Sequence, residues 1–185
     1  AQTCPIPLGR IADLFPDPGL ASAVADNFGI QTGDFVTQSQ LDSIVYFYPQ
    51  NRNISNLSGI TLLRQLNQLY LDHNQITEIQ PETFSGLTNI TNLDLSYNQI
   101  AKIGSWLLNN MTNLSYLMLN NNKLCMLSLS QDIITLANNS YGNDSWQRAQ
   151  DTVFCDIDTD WVADSTDNCP LVANADQANV NPLVE

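Results

Sequence analysis

Three stretches decide the fold: LNQLYLDHNQITEI at 66–79, ITNLDLSYNQIAKI at 90–103 and LSYLMLNNNKLCML at 114–127. The step between them is 24 residues both times. Leu69, Leu93 and Leu117 share a column, and Leu71, Leu95 and Leu119 share the next. Asn74, Asn98 and Asn122 follow, then Ile76, Ile100 and Leu124, then Ile79, Ile103 and Leu127. Farther along, Phe84 aligns with Leu108 and Leu87 with Met111. A fixed period of this length marks one supersecondary unit copied along the chain, each copy burying its apolar face only by stacking on the next.

Each column has a physical reason. The paired leucines alternate with polar residues, which puts both on one face of a short strand. Stacked copies then make a parallel sheet with a continuous apolar inner face. The asparagines lie where the chain turns, and their amides can both donate to and accept from buried backbone groups. Leaving such groups unpaired would cost about 1–3 kcal/mol each, so the asparagines read as a structural ladder. This is the L-x-x-L-x-L-x-x-N-x-I pattern of leucine-rich repeats. The resemblance implies an α/β solenoid, a right-handed superhelix with a short parallel concave sheet.

A stack exposes apolar core at its ends and needs caps. In DPGLASAVADNF, Asp17 is placed as an N-cap and Pro18 at the first helical position. Leu20, Ala21, Val24, Ala25 and Phe28 then share one helical face, and Gly29 suits the exit. In TQSQLDSI, Thr37 and Gln40 have capping-box spacing, with Leu41 and Ile44 behind. The order LFPDPGLASAVADNFG, VTQSQLDSI and NISNLSGI, ending at Ile60, resembles the N-terminal cap of the bacterial internalins. The resemblance covers roughly residues 6–127. It implies a surface protein that grips a host protein on its concave repeat face. The repeats differ, because internalin coils run to about 22 residues and PETFSGL at 81–87 resembles the typical extracellular repeat class. The resemblance therefore carries fold and face, and no partner identity.

The organisation expected is an N-terminal helical cap over residues 1–45, then leucine-rich repeats over 46–127, a capping coil and three 24-residue repeats. An irregular C-terminal cap follows over 128–154, in which Ile133, Ile134, Leu136, Tyr141 and Trp146 would cover the last coil, and then an acidic segment over 155–185. Residues between the core leucines point outward. In YFYPQN, Tyr46 and Tyr48 are expected to face in and Phe47 out. The candidate ligand surface is then Phe47, Tyr70, Asp72, His73, Asp94, Tyr97, Tyr116 and Met118. Aromatic residues and Met are enriched at interface cores. His73 is the only histidine and reads as a rim side chain.

The net charge is −13, with 19 acidic residues against 6 basic. Such a chain is a poor partner for nucleic acid or anionic lipid, which call for basic patches, and neither nucleic-acid binding nor direct membrane insertion is expected. No apolar run approaches the ~20 residues of a membrane span. The start AQTCPIP reads as a mature end after removal of a signal peptide. Seven of the acidic residues fall between Asp151 and Asp176. Counting Asp156 as position 1 of DIDTDWVADSTDNCP, carboxylates stand at 1, 3, 5, 9 and 12. An EF-hand-like loop takes these positions, with a backbone carbonyl at position 7. Hard oxygen ligands at this spacing suit Ca²⁺. The ligands would be Asp156, Asp158, Asp160, Asp164 and Asp167 with the Val162 carbonyl.

The stretch resembles a thrombospondin type 3 repeat, most closely in DNCPLVANADQ at 167–177. Trp161 stands where the loop normally has Gly, which would cost about 1–2 kcal/mol in a left-handed turn. Asn179 and Asn181 replace aspartates of the next half-repeat. Of the four cysteines, Cys155 and Cys169 bracket the acidic run and would close that loop as a disulfide. Cys125 reads as a small buried hydrophobe. N-x-S/T triplets at Asn53, Asn56, Asn89, Asn110, Asn113, Asn138 and Asn143 arise from the repeat pattern and are expected to carry no sugar.

No motif of nucleophilic, metallopeptidase or phosphate-binding chemistry is present. The expected function is a non-enzymatic, secreted or cell-surface bacterial binding module, adhesin-like, with calcium stiffening the start of a stalk. A structural or self-associating spacer and a polysaccharide-binding module are the alternatives. The sequence leaves the oligomeric state open.

Overall fold

Leucine columns spaced at a constant interval can only stack if successive strands run parallel, and they do. A computed structural model describes residues 6–124 and 129–142. Strands β3 (Tyr46–Phe47), β4 (Gln68–Tyr70), β5 (Asn92–Asp94) and β6 (Tyr116–Met118) form one sheet in chain order. All pairs are parallel, with Leu69 opposite Leu93 and Leu93 opposite Leu117. These leucines and Leu71, Leu95 and Leu119 are wholly buried. Ile76, Ile79, Ile100, Ile103 and Leu124 join them.

The asparagines close every coil in the same way. Asn98 Oδ1 accepts from Ile76 N–H of the preceding coil at 3.0 Å. Its Nδ2 donates to the carbonyls of Leu71, Leu95 and Ser96 at 3.0–3.1 Å. Asn122 repeats this one coil on, accepting from Ile100 N–H and donating to Leu95 and Leu119. Asn74 begins the ladder, accepting from the Arg52 and Ile54 N–H groups and donating to the Pro49 and Leu71 carbonyls. Just before each ladder asparagine the backbone enters the left-handed region, at His73, Tyr97 and Asn121 (φ 52° to 57°), and Asn51 does the same ahead of Arg52 in the first coil (φ 54°). Asn and His accept this more readily than bulkier residues. At Tyr97 the strain is offset by stacking on His73, with ring centroids 4.2 Å apart.

The N-terminal cap forms as its spacing predicts. Helix α1 (Ile11–Leu14) precedes α2 (Pro18–Phe28), which starts at Asp17 and ends on Gly29 at φ 64°. Helix α3 (Gln38–Leu41) carries the full Thr37–Gln40 capping box. A two-stranded antiparallel pair, β1 (Gly9–Arg10) with β2 (Phe35–Val36), ties the cap together. Asp17 does more than cap. One carboxylate oxygen accepts from Gly19 and Leu20 N–H, and the other from Ser55 and Asn56 N–H in the first coil. Arg52 reaches back to Asp26 at 2.6 Å and to Ser22 at 3.2 Å. Cap and coil lie so close that a Cβ on Gly19 would strike the Arg52 carbonyl oxygen.

One register in the repeats differs from the sequence reading. The 24-residue step pairs Phe84 with Leu108, yet Leu107 is the wholly buried residue and Leu108 only flanks the core. Residues 106–110 coil into a short helix, α4 (Trp106–Asn110), which turns the preceding side chain inward. After β6, the irregular cap contains helix α5 (Gln131–Tyr141). Ile133 and Ala137 are buried, and Ile134 and Leu136 pack beside them. Ser140 Oγ accepts from Leu117 N–H at 2.8 Å, pairing a donor on the sheet's last strand. Trp146 and all four cysteines lie outside the described residues, as does the whole segment 155–185.

Asn98→Ala leaves the Ile76 N–H without its acceptor and takes one donor each from the Leu71, Leu95 and Ser96 carbonyls, which still accept from Asn74, Asn122 and the His73 N–H. It is expected to destabilise the protein by about 1–3 kcal/mol, read as a fall in urea midpoint. Asn98→Asp keeps the shape and loses the donors, so its midpoint should fall by a similar amount. Asp17→Ala unpairs four N–H groups, and about 2–3 kcal/mol is expected. If either variant melts with the wild type, the ladder or the cap bridge is not what holds the stack.

Candidate functional site

Strand alternation fixes which side chains leave the core. From β3 to β6 the outward positions form successive columns. One holds Tyr46, Gln68, Asn92 and Tyr116, and the next Tyr48, Tyr70, Asp94 and Met118. A third holds Asp72, Ser96 and Asn120. His73, Tyr97 and Asn121 line the rim, all exposed. Seven of the eight residues that the sequence assigns to a ligand surface therefore lie on one open face of the sheet.

Phe47 does not join them. It is 1% exposed, whereas Tyr46 and Tyr48 are 55% and 53% exposed. Phe47 pairs with Leu69 in the sheet and so occupies the core leucine column. The cause is the length of the first coil. Phe47 to Leu69 and Ile54 to Ile76 are both steps of 22 residues, and a slip of one residue turns a strand inside out. The 22-residue spacing of Ile54 with Ile76 and of Leu57 with Ile79 is the signal that gives the right register. Tyr46 and Tyr48 are thus the aromatic residues that sequence reading misses.

Contacts across the face are aromatic and acidic. The Tyr48 and Tyr70 rings lie 5.2 Å apart, inclined at 40°. Tyr48 Oη donates to Gln68 Oε1 at 3.4 Å. Asp72 Oδ2 sits 2.9 Å from His73 Nδ1. Asp94, directly across the ladder from Tyr70, accepts through Oδ1 from both the Ser96 N–H (2.9 Å) and hydroxyl (2.6 Å). Burial pushes the Asp94 carboxyl above its usual range, against the two Ser96 hydrogen bonds that lower it; the Asp72 carboxylate adds to the rise and His73 opposes it. Tyr116 is also raised, first by burial and then by the Asp94 carboxylate and Tyr70.

Among the described residues no group of three or more His, Cys, Asp or Glu is placed to hold a metal ion. No described helix is long and apolar enough to cross a membrane. The calcium ligands expected from the sequence, Asp156, Asp158, Asp160, Val162, Asp164 and Asp167, lie outside the described residues, as does the Cys155–Cys169 pair. A surface cavity of about 550 Å³ lies elsewhere, lined by polar residues such as Ser55, Thr77 and Glu82.

Comparison with known proteins places these features. Residues 1–42 match the family model described as bacterial adhesion/invasion protein N terminal, and residues 64–124 match that of the leucine rich repeat. The chain is 40% identical over 70 residues to internalin C of Listeria monocytogenes, an alignment covering 37% of this chain and 23% of that protein. It is 34% identical over 67 residues to internalin J of the same species, covering 36% and 7%. The chain thus spans under a quarter of the length of these curated relatives. Among solved structures, the L. monocytogenes internalin InlF superposes with a TM-score of 0.61 at 30% identity, covering 75% of this chain and 44% of that one. The functional domain of InlJ, described as including a cysteine ladder, superposes at 0.59 with 26% identity, covering 75% and 28%. The chain is a leucine-rich-repeat protein in fold, and its N-terminal cap is similar to that of the Listeria internalins.

Proposed function

We propose that this chain is a non-enzymatic binding module of the bacterial adhesion or invasion type, secreted or displayed at the cell surface, which holds a partner protein on the open face of its sheet. One observation carries the reading. The ladder register brings Tyr46, Tyr48, Tyr70, Asp94, Tyr116 and Met118 onto one continuous surface, while their strand neighbours Phe47, Leu69, Leu93 and Leu117 are buried. Tyrosines supply large, rigid contact area with a polar tip, and hot spots at interfaces are rich in them. The similarity to internalins supports the same face and leaves the partner unnamed.

The acidic segment is proposed to start a calcium-stabilised stalk. Support comes from the sequence: Asp156, Asp158, Asp160, Asp164 and Asp167 stand at loop positions that oxygen-ligating Ca²⁺ sites take. The Cys155–Cys169 bond would close that loop.

Tyr70→Ala and Tyr116→Ala are each expected to weaken capture of a partner protein on a surface-protein array by tenfold or more. Their melting temperatures should stay within a few degrees of wild type, because neither ring fills the core. Unchanged capture by both variants would remove the open face from the function. For the stalk, calorimetric titration of Ca²⁺ into chelator-treated protein should show saturable heat that Asp160→Ala abolishes. A flat titration of the wild type would leave the carboxylates a solvated acidic segment.

A further inference from the structure

We infer that the partner presents a basic segment to this face, with an arginine side chain seated against the Tyr48–Tyr70 pair and the Asp94 carboxylate. The inference rests on the partner-binding reading of the open face and names the chemistry that the face accepts.

The distribution of charge is the first ground. Outward positions of β3 to β6 and the residues that follow them include Asp72 and Asp94 and no Lys or Arg. The described basic side chains are placed elsewhere. Arg52 pairs with Asp26, and Arg10 lies over the Phe35 ring at 5.0 Å. Lys102 and Lys123 come after the asparagine column, on the far side of the turn, and Arg64 lies before β4. Among the described residues of the face, His73 is the one group able to carry positive charge. An acidic surface of this kind is complementary to a basic one.

Local geometry is the second ground. Tyr70 and Asp94 are cross-strand partners, about 4.8 Å apart along the ladder. A planar guanidinium can therefore lie on the Tyr70 ring and hydrogen-bond Asp94 in one pose, which a compact ammonium does less well. Oδ1 of Asp94 is taken by Ser96, and among the described residues no hydrogen bond engages Oδ2 (an acceptor remains for a ligand). Met118 borders the carboxylate on its other side, and Tyr48 extends the aromatic floor beyond Tyr70. The carboxylate is half-buried, so it has already lost part of its hydration, and an arriving cation has less water to displace. Its raised pKa reports the same loss.

The test uses the ¹⁵N-labelled chain and two tripeptides, acetyl-Gly-Arg-Gly-amide and its citrulline counterpart, which keeps the shape and removes the charge. The arginine peptide is expected to shift amides around Tyr70, Asp94 and Tyr116 and to bind at least tenfold more tightly than the citrulline peptide at low salt. Asp94→Asn should erase that difference. The same variant should melt at a higher temperature than wild type at neutral pH. Folding raises this pKa, so stability falls as pH climbs from the unfolded value through the folded one, and an uncharged Asn escapes that loss while its Oδ1 still accepts from Ser96. Arginine-peptide affinity should also decline on acidification at a higher pH than an ordinary aspartate would give. Equal response to both peptides, shifts centred elsewhere, or an unaffected Asp94→Asn each overturn the inference. Tyr70-dependent capture of a partner with no arginine preference would sink the basic segment and leave the binding face standing. Arginine-specific shifts with capture indifferent to Tyr70→Ala would sink the binding face as the site of partner capture, and with it the assignment of the arginine to that partner.

Discussion

A chain that coils back on itself every 22 to 24 residues must bury backbone at each turn, and in this protein a single asparagine in each repeat supplies the missing partners. Asn98 serves the coil before it through Ile76 N–H and Leu71 carbonyl, and its own coil through Leu95 and Ser96. No other uncharged side chain of that length offers an acceptor and two donors from one planar group. Because each amide touches two coils, the coils cannot shift against each other without breaking several hydrogen bonds at once. The parallel register, the leucine stack and the left-handed residue before each asparagine all follow from that requirement.

The two ends of the stack meet the problem of exposed core differently. At the first coil Asp17 stands between helix and solenoid, its two oxygens divided between the start of α2 and the Ser55–Asn56 backbone. A carboxylate is suited to this because it can accept four N–H bonds with no donor of its own left over. Close packing of Gly19 and Gly59 against neighbouring backbone then fixes the cap's position; at Gly59, with φ at 93°, a side chain would meet the Leu14 carbonyl. At the other end α5 lays Ile133 and Ala137 on the core, and Ser140 supplies an acceptor to β6. An open strand edge invites pairing with other chains, and the serine pairs one donor of that edge.

The open face inherits its order from this scaffold. Tyr48, Tyr70, Asp94 and Met118 are neighbours because their strands are held in register from the other side of the sheet. A desolvated carboxylate beside tyrosines is a poor choice for stability, since burial disfavours its charged form. Asp94 keeps its charge partly through the Ser96 hydroxyl and N–H. The carboxylate lies among the tyrosines of the open face, across the ladder from Tyr70.

Periodicity determined the solenoid, the strands of the three repeats and the asparagine ladder, because a repeated column can bury its apolar side in one way only, and capping residues placed the helices at 18–28 and 38–41. It also placed seven residues of the candidate face. What it could not decide was the first coil, where Tyr46, Phe47 and Tyr48 are all aromatic and alternation has two equally apolar solutions. Pairing with Leu69 settled that choice, burying Phe47 and releasing the tyrosines. The bridge from Asp17 to Ser55, the Ser140 contact and the desolvation of Asp94 likewise depend on which distant residues meet. Sequence spacing encodes which face a side chain takes; proximity between coils, and the electrostatics that proximity creates, exist only once the stack has closed.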